Sequence, residues 1–205
     1  MSRKIIVADS LKWLAGQPNG SISNVVTGIC DMGETQMTMD QYLDFFRKVS
    51  GLIFKKLNPK GYAIFIQTDR KYQRSWIDKS YILTSMAQQA GFKMVWHKIV
   101  LHRGVGRTDL HRPTYAHMLC YTKTGNPGAA FPDVIDVSKK LYKNATPLEA
   151  ARLAIEFVKK NSKAGKTVLD PFVGRGTVVA LANQVGLDAI GIDIDPVQAK
   201  KAELA

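Results

Sequence analysis

Apolar and polar positions along this chain follow two periods in turn. Short apolar runs with the length and composition of buried strands occur at Ile5-Ile6-Val7-Ala8, Asn24-Val25-Val26-Thr27, Tyr62-Ala63-Ile64-Phe65-Ile66, Ala116 to Tyr121, Lys166-Thr167-Val168-Leu169 and Ala189-Ile190-Gly191-Ile192. Lys93 to Leu101 is also strand-like. Between them the period changes to that of a helix. Ser10 can cap a helix through Leu11, Trp13 and Leu14 that breaks at Pro18-Asn19-Gly20. Thr38-Met39-Asp40 opens a helix with Tyr42, Phe45, Phe46, Val49, Ile53 and Phe54 on one face, ended by Asn58-Pro59-Lys60-Gly61. Further helices are predicted from Ser80 to Ala90, from Pro147 through Val158, from Thr177 to Gln184 and from Pro196 onward. Strands that alternate with helices in this way predict an α/β fold, a mostly parallel sheet covered on both faces. Two stretches lack a firm period: a loop rich in Gly, Arg and His from His102 to Tyr115, and a surface connection from Gly125 to Lys143.

Composition narrows this picture. A chain of 205 residues that is 45% hydrophobic suits one domain with a sizeable core. No apolar run reaches the roughly 20 residues of a membrane span. The segment from Met1 to Ala8 has no cleavage-site pattern and reads as a first strand. Two cysteines, Cys30 and Cys120, give no disulfide framework, so a reducing, intracellular setting is expected. The formal charge of +12 favours a polyanionic partner such as nucleic acid over a surface kept basic for solubility. The loop from His102 to Tyr115 carries Arg103, Arg107 and Arg112, and this mixture of cations with Tyr115 suits phosphate contact and base stacking as well as it suits a solvated loop. His97, His102, His111 and His117 are too irregularly spaced for a metal signature, and no metal is expected.

The most informative stretch is Val168-Leu169-Asp170-Pro171-Phe172-Val173-Gly174-Arg175-Gly176-Thr177. It places a glycine-containing turn between a strand and a helix, where backbone can approach a ligand closely and the helix N-terminus favours negative groups. Asp193 closes the next strand, where an acid can accept hydrogen bonds from both hydroxyls of a ribose. The third glycine of a nicotinamide or flavin fingerprint is missing.

Asp170-Pro171-Phe172-Val173-Gly174-Arg175-Gly176-Thr177 resembles the Asp-Pro-Phe-x-Gly-x-Gly-Thr motif of the amino-methyltransferases that modify adenine N6 or cytosine N4 in DNA. The resemblance implies a Rossmann-like methyltransferase fold with a seven-stranded sheet and S-adenosyl-L-methionine as cofactor. It also implies that Asp170, Phe172, Gly174, Gly176 and Thr177 hold the methionine part and Asp193 the ribose, with Thr27 at the same cofactor site. Thr146-Pro147-Leu148-Glu149 looks like the start of the helix that touches the cofactor carboxylate, which adds Pro147. The motif comes late in this chain, as in the circularly permuted members. The strand expected after Asp193 and its helix is then supplied by Ile5 to Asp9, and Asp9 matches the acid that bonds the adenine amino group, or else is a plain helix cap. On this reading residues 1–205 form one domain, with an acceptor half at 1–123, a connection at 124–145 and a cofactor half at 146–205.

Two departures bear on the acceptor. Where those enzymes carry Asp-Pro-Pro-Tyr, this chain reads Thr27-Gly28-Ile29-Cys30-Asp31-Met32-Gly33-Glu34, without the prolines or the aromatic ring. Asp31 is the acid left there to orient or deprotonate a nucleophile, the other reading being a loop acid facing solvent. Cys30 and Cys120 read as packed residues. Gln67, Asp69 and Arg70 follow the strongest strand, and Trp76 is expected to pack under a capped loop. The interval from Thr124 to Ala145 is too short for a separate base-reading domain. The expectation is an S-adenosylmethionine-dependent enzyme that methylates a nitrogen of RNA or DNA. The alternatives are a methyltransferase of small molecules or proteins, and a binding module without catalysis. The sequence leaves the oligomeric state open.

Overall fold

A computed structural model describes residues 1–126, 128, 131–137 and 145–205. The first half of the chain forms β1 (Arg3–Val7), α1 (Ser10–Gly16), β2 (Asn24–Thr27), a 3-10 turn (Met32–Glu34), α2 (Met39–Lys56), β3 (Ala63–Gln67), β4 (Arg70–Tyr72), β5 (Ser75–Ile77) and α3 (Lys79–Gln89). There follow β6 (Lys93–Leu101), β7 (Tyr115–Thr122), β8 (Val134–Ile135), α4 (Leu148–Asn161), β9 (Thr167–Asp170), α5 (Thr177–Gln184), β10 (Asp188–Asp193) and α6 (Pro196–Glu203).

One sheet organises the molecule, in the order β1-β10-β9-β2-β3-β7-β6-β8. Within it all pairings are parallel except those of β7, which runs antiparallel to β3 and β6. The order confirms the Rossmann-like reading and corrects the count, because eight strands replace the expected seven. The extra strand, β8, comes from the stretch read as a surface connection. Lys98 explains why it docks: its Nζ holds the Phe131 carbonyl at 2.9 Å and Asp133 at 2.5 Å, and Ile135 is buried. Residues 127, 129, 130 and 138–144 of that connection lie outside the described residues.

Alternation along the strands divides the core in two. Ile64, Met118 and Val168 pack against α4 and α5 on one face. Phe65, Leu119, Tyr121 and Leu169 pack against α2 and α3 on the other. β2 and β3 are buried on both faces, which is why their sequences read as continuous apolar runs. The connection after β9 crosses the first face through α5, and the connection after β2 crosses the second through α2. Crossovers that leave adjacent strands on opposite faces open a crevice at the strands' carboxyl ends. The β9–β2 pair is that point. β1 extends the sheet beyond β10, the Ala8 amide donating to the Asp193 carbonyl at 3.0 Å. This brings Asp9 to the same edge.

Candidate active site

The crevice holds a cavity of about 670 Å³ lined by both ends of the chain. Its floor is the turn after β9. The Gly176 amide donates to the Val173 carbonyl at 2.9 Å, and Gly176 itself has φ of +90°, with any Cβ placed 2.8 Å from the Ala202 Cα. Only glycine fits there without strain. The turn is fixed from outside by Asp193, whose Oδ2 accepts from the Gly174 amide at 3.0 Å and whose Oδ1 accepts from the Asp195 amide at 2.9 Å. Burial raises the Asp193 pKa even so.

Asp170 ends β9 inside the cavity wall. Its Oδ1 accepts from the Thr27 hydroxyl at 2.7 Å and the Phe172 amide at 3.1 Å. Burial outweighs both bonds and pushes its pKa up to about 7. Asp9 lines the cavity and also caps α1, its Oδ1 accepting from the Lys12 amide at 3.0 Å. The helix-cap reading therefore describes this residue, which also lines the cavity. Asp9, not Ser10, is the cap. Ser10 is the first helical residue, and its hydroxyl donates to the Pro171 carbonyl. Phe172, Gly174, Pro147 and Thr177 also line the cavity. Thr177, at the start of α5, keeps a buried hydroxyl with no hydrogen-bond partner among the described residues. Thr27 and Gly176 are placed differently. Thr27 stands behind Asp170, and Gly176 shapes the turn beneath α6.

The far end of the cavity is built from the loop after β2. Gly28 permits a close approach to β3, since a Cβ there would lie 2.9 Å from the Ile66 carbonyl oxygen. Gln67 then holds the next residue with both ends of its amide, accepting from the Ile29 amide at 2.9 Å and donating to the Ile29 carbonyl at 3.1 Å. Cys30 follows, its carbonyl bonded by the Tyr42 hydroxyl at 3.0 Å and its thiol pushed up to about 12 by burial, so it is not a thiolate nucleophile. Cys120 is buried in the core.

Asp31 gathers three cations from distant elements: Arg70 at 2.8 Å, Lys79 at 3.5 Å and Arg112 at 3.7 Å. Burial pulls its pKa up, and the opposing pull of Lys79, Arg112 and Arg70 prevails, holding it below the usual carboxylate value. Lys79 is fully buried, with Nζ 5.4 Å from the centre of the Tyr42 ring, and burial lowers its pKa. Asp31 lines the cavity as an ionised, engaged group. Beside it Thr68 and His102 meet at 3.1 Å between Oγ1 and Nε2. Asp69 does not face the cavity. It accepts from His117 Nε2, the Trp76 indole and the Lys79 amide at 3.0, 3.0 and 2.9 Å. Trp76 departs from the expected packed position: it stands on β5 and is 47% exposed. His97 and His117 are on strands as expected, joined at 2.8 Å. Among the described residues no cluster suits a metal ion.

Sequence reasoning missed Gln67 as the brace of this loop and the cations around Asp31. Residues 67, 70, 79 and 112 share no local pattern with Asp31, so no spacing rule points to them. The unused hydroxyl of Thr177 and the carboxylates of Asp9, Asp170 and Asp193 suit a nucleoside with a cationic, carboxylate-bearing chain: a base and ribose at the acids, a carboxylate at the helix N-terminus.

Residues 136–204 match a family model described as DNA methylase. The type II methyltransferase M.HpaI of Haemophilus parainfluenzae is 25% identical over 95% of this chain and 71% of its own length. Among solved structures, the Thermus thermophilus protein TTHA0409, assigned as a DNA modification methylase and complexed with S-adenosyl-L-methionine, superposes with a TM-score of 0.75 at 21% identity over 100% of this chain and 94% of that one. The cytosine-N4-specific PvuII DNA methyltransferase gives 0.75 at 16% identity over 99% and 86%.

Proposed function

We propose that this chain, an S-adenosylmethionine-dependent methyltransferase of the DNA N4/N6 type, methylates an exocyclic amine of a DNA base brought into the cavity. The observation that carries the reading is the β9 turn, whose two raised carboxylates, Asp170 and Asp193, line one cavity at the switch point together with Thr177.

S-adenosylmethionine, when bound, supplies an activated methyl group with a good leaving group. The protein's task is then positioning and exclusion of water. Asp193 would hold the ribose hydroxyls and Asp9 the adenine edge. Asp170 would face the cationic part of the chain, and Thr177 with the α5 N-terminus, and Pro147 at the start of α4, the carboxylate. Phe172 and Gly174 shape the wall. Thr27 keeps Asp170 in place, and Gly176 lets α6 close beneath the turn. On this proposal the 146–205 half and Asp9 serve the cofactor, and the 1–123 half serves the acceptor. The braced segment from Gly28 to Asp31 stands where the acceptor amine must lie. Asp31 orients that amine through its remaining lone pairs. Three neighbouring cations disfavour its protonation, so it is a positioning acceptor and not the final holder of the proton. The formal +12 charge, with Arg112 lining the cavity and Arg103 and Arg107 on the same loop, favours a polyanion over a small acceptor.

Calorimetry with S-adenosylmethionine tests the cofactor half. Asp193→Ala is expected to weaken binding tenfold or more, about 1.4 kcal/mol. Transfer of labelled methyl to duplex DNA but not to an RNA of the same length tests the acceptor. A folded chain that binds no cofactor ends the proposal.

A further inference from the structure

The β4–β5 hairpin and the loop between β6 and β7 are joined into one surface beside the cavity mouth. The Lys71 amide donates to the His111 carbonyl at 3.0 Å, and Lys71 Nζ donates to the Asp109 carbonyl at 2.7 Å. Both segments are clamped to the cavity through one carboxylate, since Arg70 of the hairpin and Arg112 of the loop both reach Asp31. Asp109 ties the loop internally, accepting from the His111 amide at 2.9 Å and pairing with Arg103 at 2.9 Å.

The exposed side chains of this surface have a definite character. The hairpin turns through Gln73 and Arg74, with φ of 46° and 64°. Two consecutive left-handed residues without glycine cost roughly 1–2 kcal/mol each. The turn therefore keeps a strained arginine at its tip where Asn-Gly would fold without strain. Arg107 is exposed on the loop. On the same loop two large apolar side chains stand in solvent, Val105 at 91% and Leu110 at 87% exposure. Val105 lies between Gly104 and Gly106, so the backbone at the tip carries little bulk of its own. Exposed cations and bare apolar residues on two segments that are both tied to the cavity-lining Asp31 match a duplex from which one base is withdrawn: phosphates outside, and a gap in the stack between them.

Resting on the DNA reading above, we propose that this composite surface is the chain's duplex grip, with Arg74 and Arg107 on the phosphates and Val105 and Leu110 as the wedge that fills the stack where the target base has left.

The test is fluorescence anisotropy with two probes, a short matched DNA duplex and the same duplex with one abasic position, across a salt series. Unstacking costs a few kcal/mol in the matched duplex and much less in the abasic one. The native chain is expected to prefer the abasic duplex by about tenfold or more. Val105→Ser with Leu110→Ser removes that preference while matched-duplex affinity stays. Arg74→Gln with Arg107→Gln weakens both duplexes alike and lowers the salt slope by about 2. All four positions are surface residues, and an unchanged melting temperature verifies folding. Equal loss on both probes in the serine variant, or an unchanged slope in the glutamine variant, overturns the proposal. So does tighter binding to single-stranded RNA that neither variant alters. A native chain that binds cofactor but neither duplex overturns the DNA reading itself, which separates the two failures.

Discussion

Asp170→Asn isolates the electrostatic cost of the proposed cofactor site. The asparagine is isosteric and retains an oxygen to accept from the Thr27 hydroxyl and the Phe172 amide. What it removes is a charge that burial opposes. The folded-state pKa of about 7 stands above the ordinary 3.8 of an unfolded chain. An acid raised in this way is protonated in both states below the unfolded value, and its contribution to stability is lost as pH rises through the folded value. The shift of roughly three units corresponds to at most about 4 kcal/mol at 1.36 kcal/mol per unit. The native protein and the Asp170→Asn variant should therefore unfold alike near about pH 3.5, and above about pH 7 the variant should be more stable by up to about 4 kcal/mol. For a domain of this size that is about 10 °C in melting temperature. Thermal unfolding followed by circular dichroism from acid to mildly basic pH reads this directly. A cationic cofactor beside Asp170 would lower its pKa, so binding near about pH 6 should release protons in the native protein and not in the variant. Calorimetry in buffers of different ionisation heat measures that release. A stability difference that does not grow with pH refutes the argument that burial governs this carboxyl.

Other expectations follow from the same geometry. Asp31→Ala leaves Lys79 buried and uncompensated and should destabilise by about 3–5 kcal/mol, much of it recovered by adding Lys79→Met, as chemical denaturation of the two variants would show. Because Asp31 is held below the usual carboxylate range, its contribution to stability should persist above the unfolded pKa and fade only as pH falls through that lowered value. Gly176→Ala meets both a left-handed backbone and the Ala202 Cα, so a loss of about 2 kcal/mol with weaker cofactor binding is expected in melting and calorimetric titrations.

The loop after β2 illustrates how unevenly function was legible. Its departure from Asp-Pro-Pro-Tyr was visible in the residues themselves. What replaces the missing rigidity of the prolines was not, because the brace is Gln67, on the neighbouring strand, and its partner is the backbone of Ile29. The β4–β5 hairpin was also invisible. Its turn, Gln73-Arg74, carries none of the glycine or asparagine that marks such turns, and tertiary contacts hold it instead.

The sequence alone determined the elements whose signals are local. Strand β2 was read at its observed ends, and the turn from Asp170 to Thr177 was found with its strand before and helix after, because apolar period, glycine placement and helix starts act within a few residues. Only the tertiary structure decided which strands are neighbours. Pairing β1 with β10 carries Asp9 to Asp193, and packing α3 against α2, β6 and β7 brings Lys79 to Asp31. Those partners lie far apart along the chain, and they meet because each apolar face must find another to leave water.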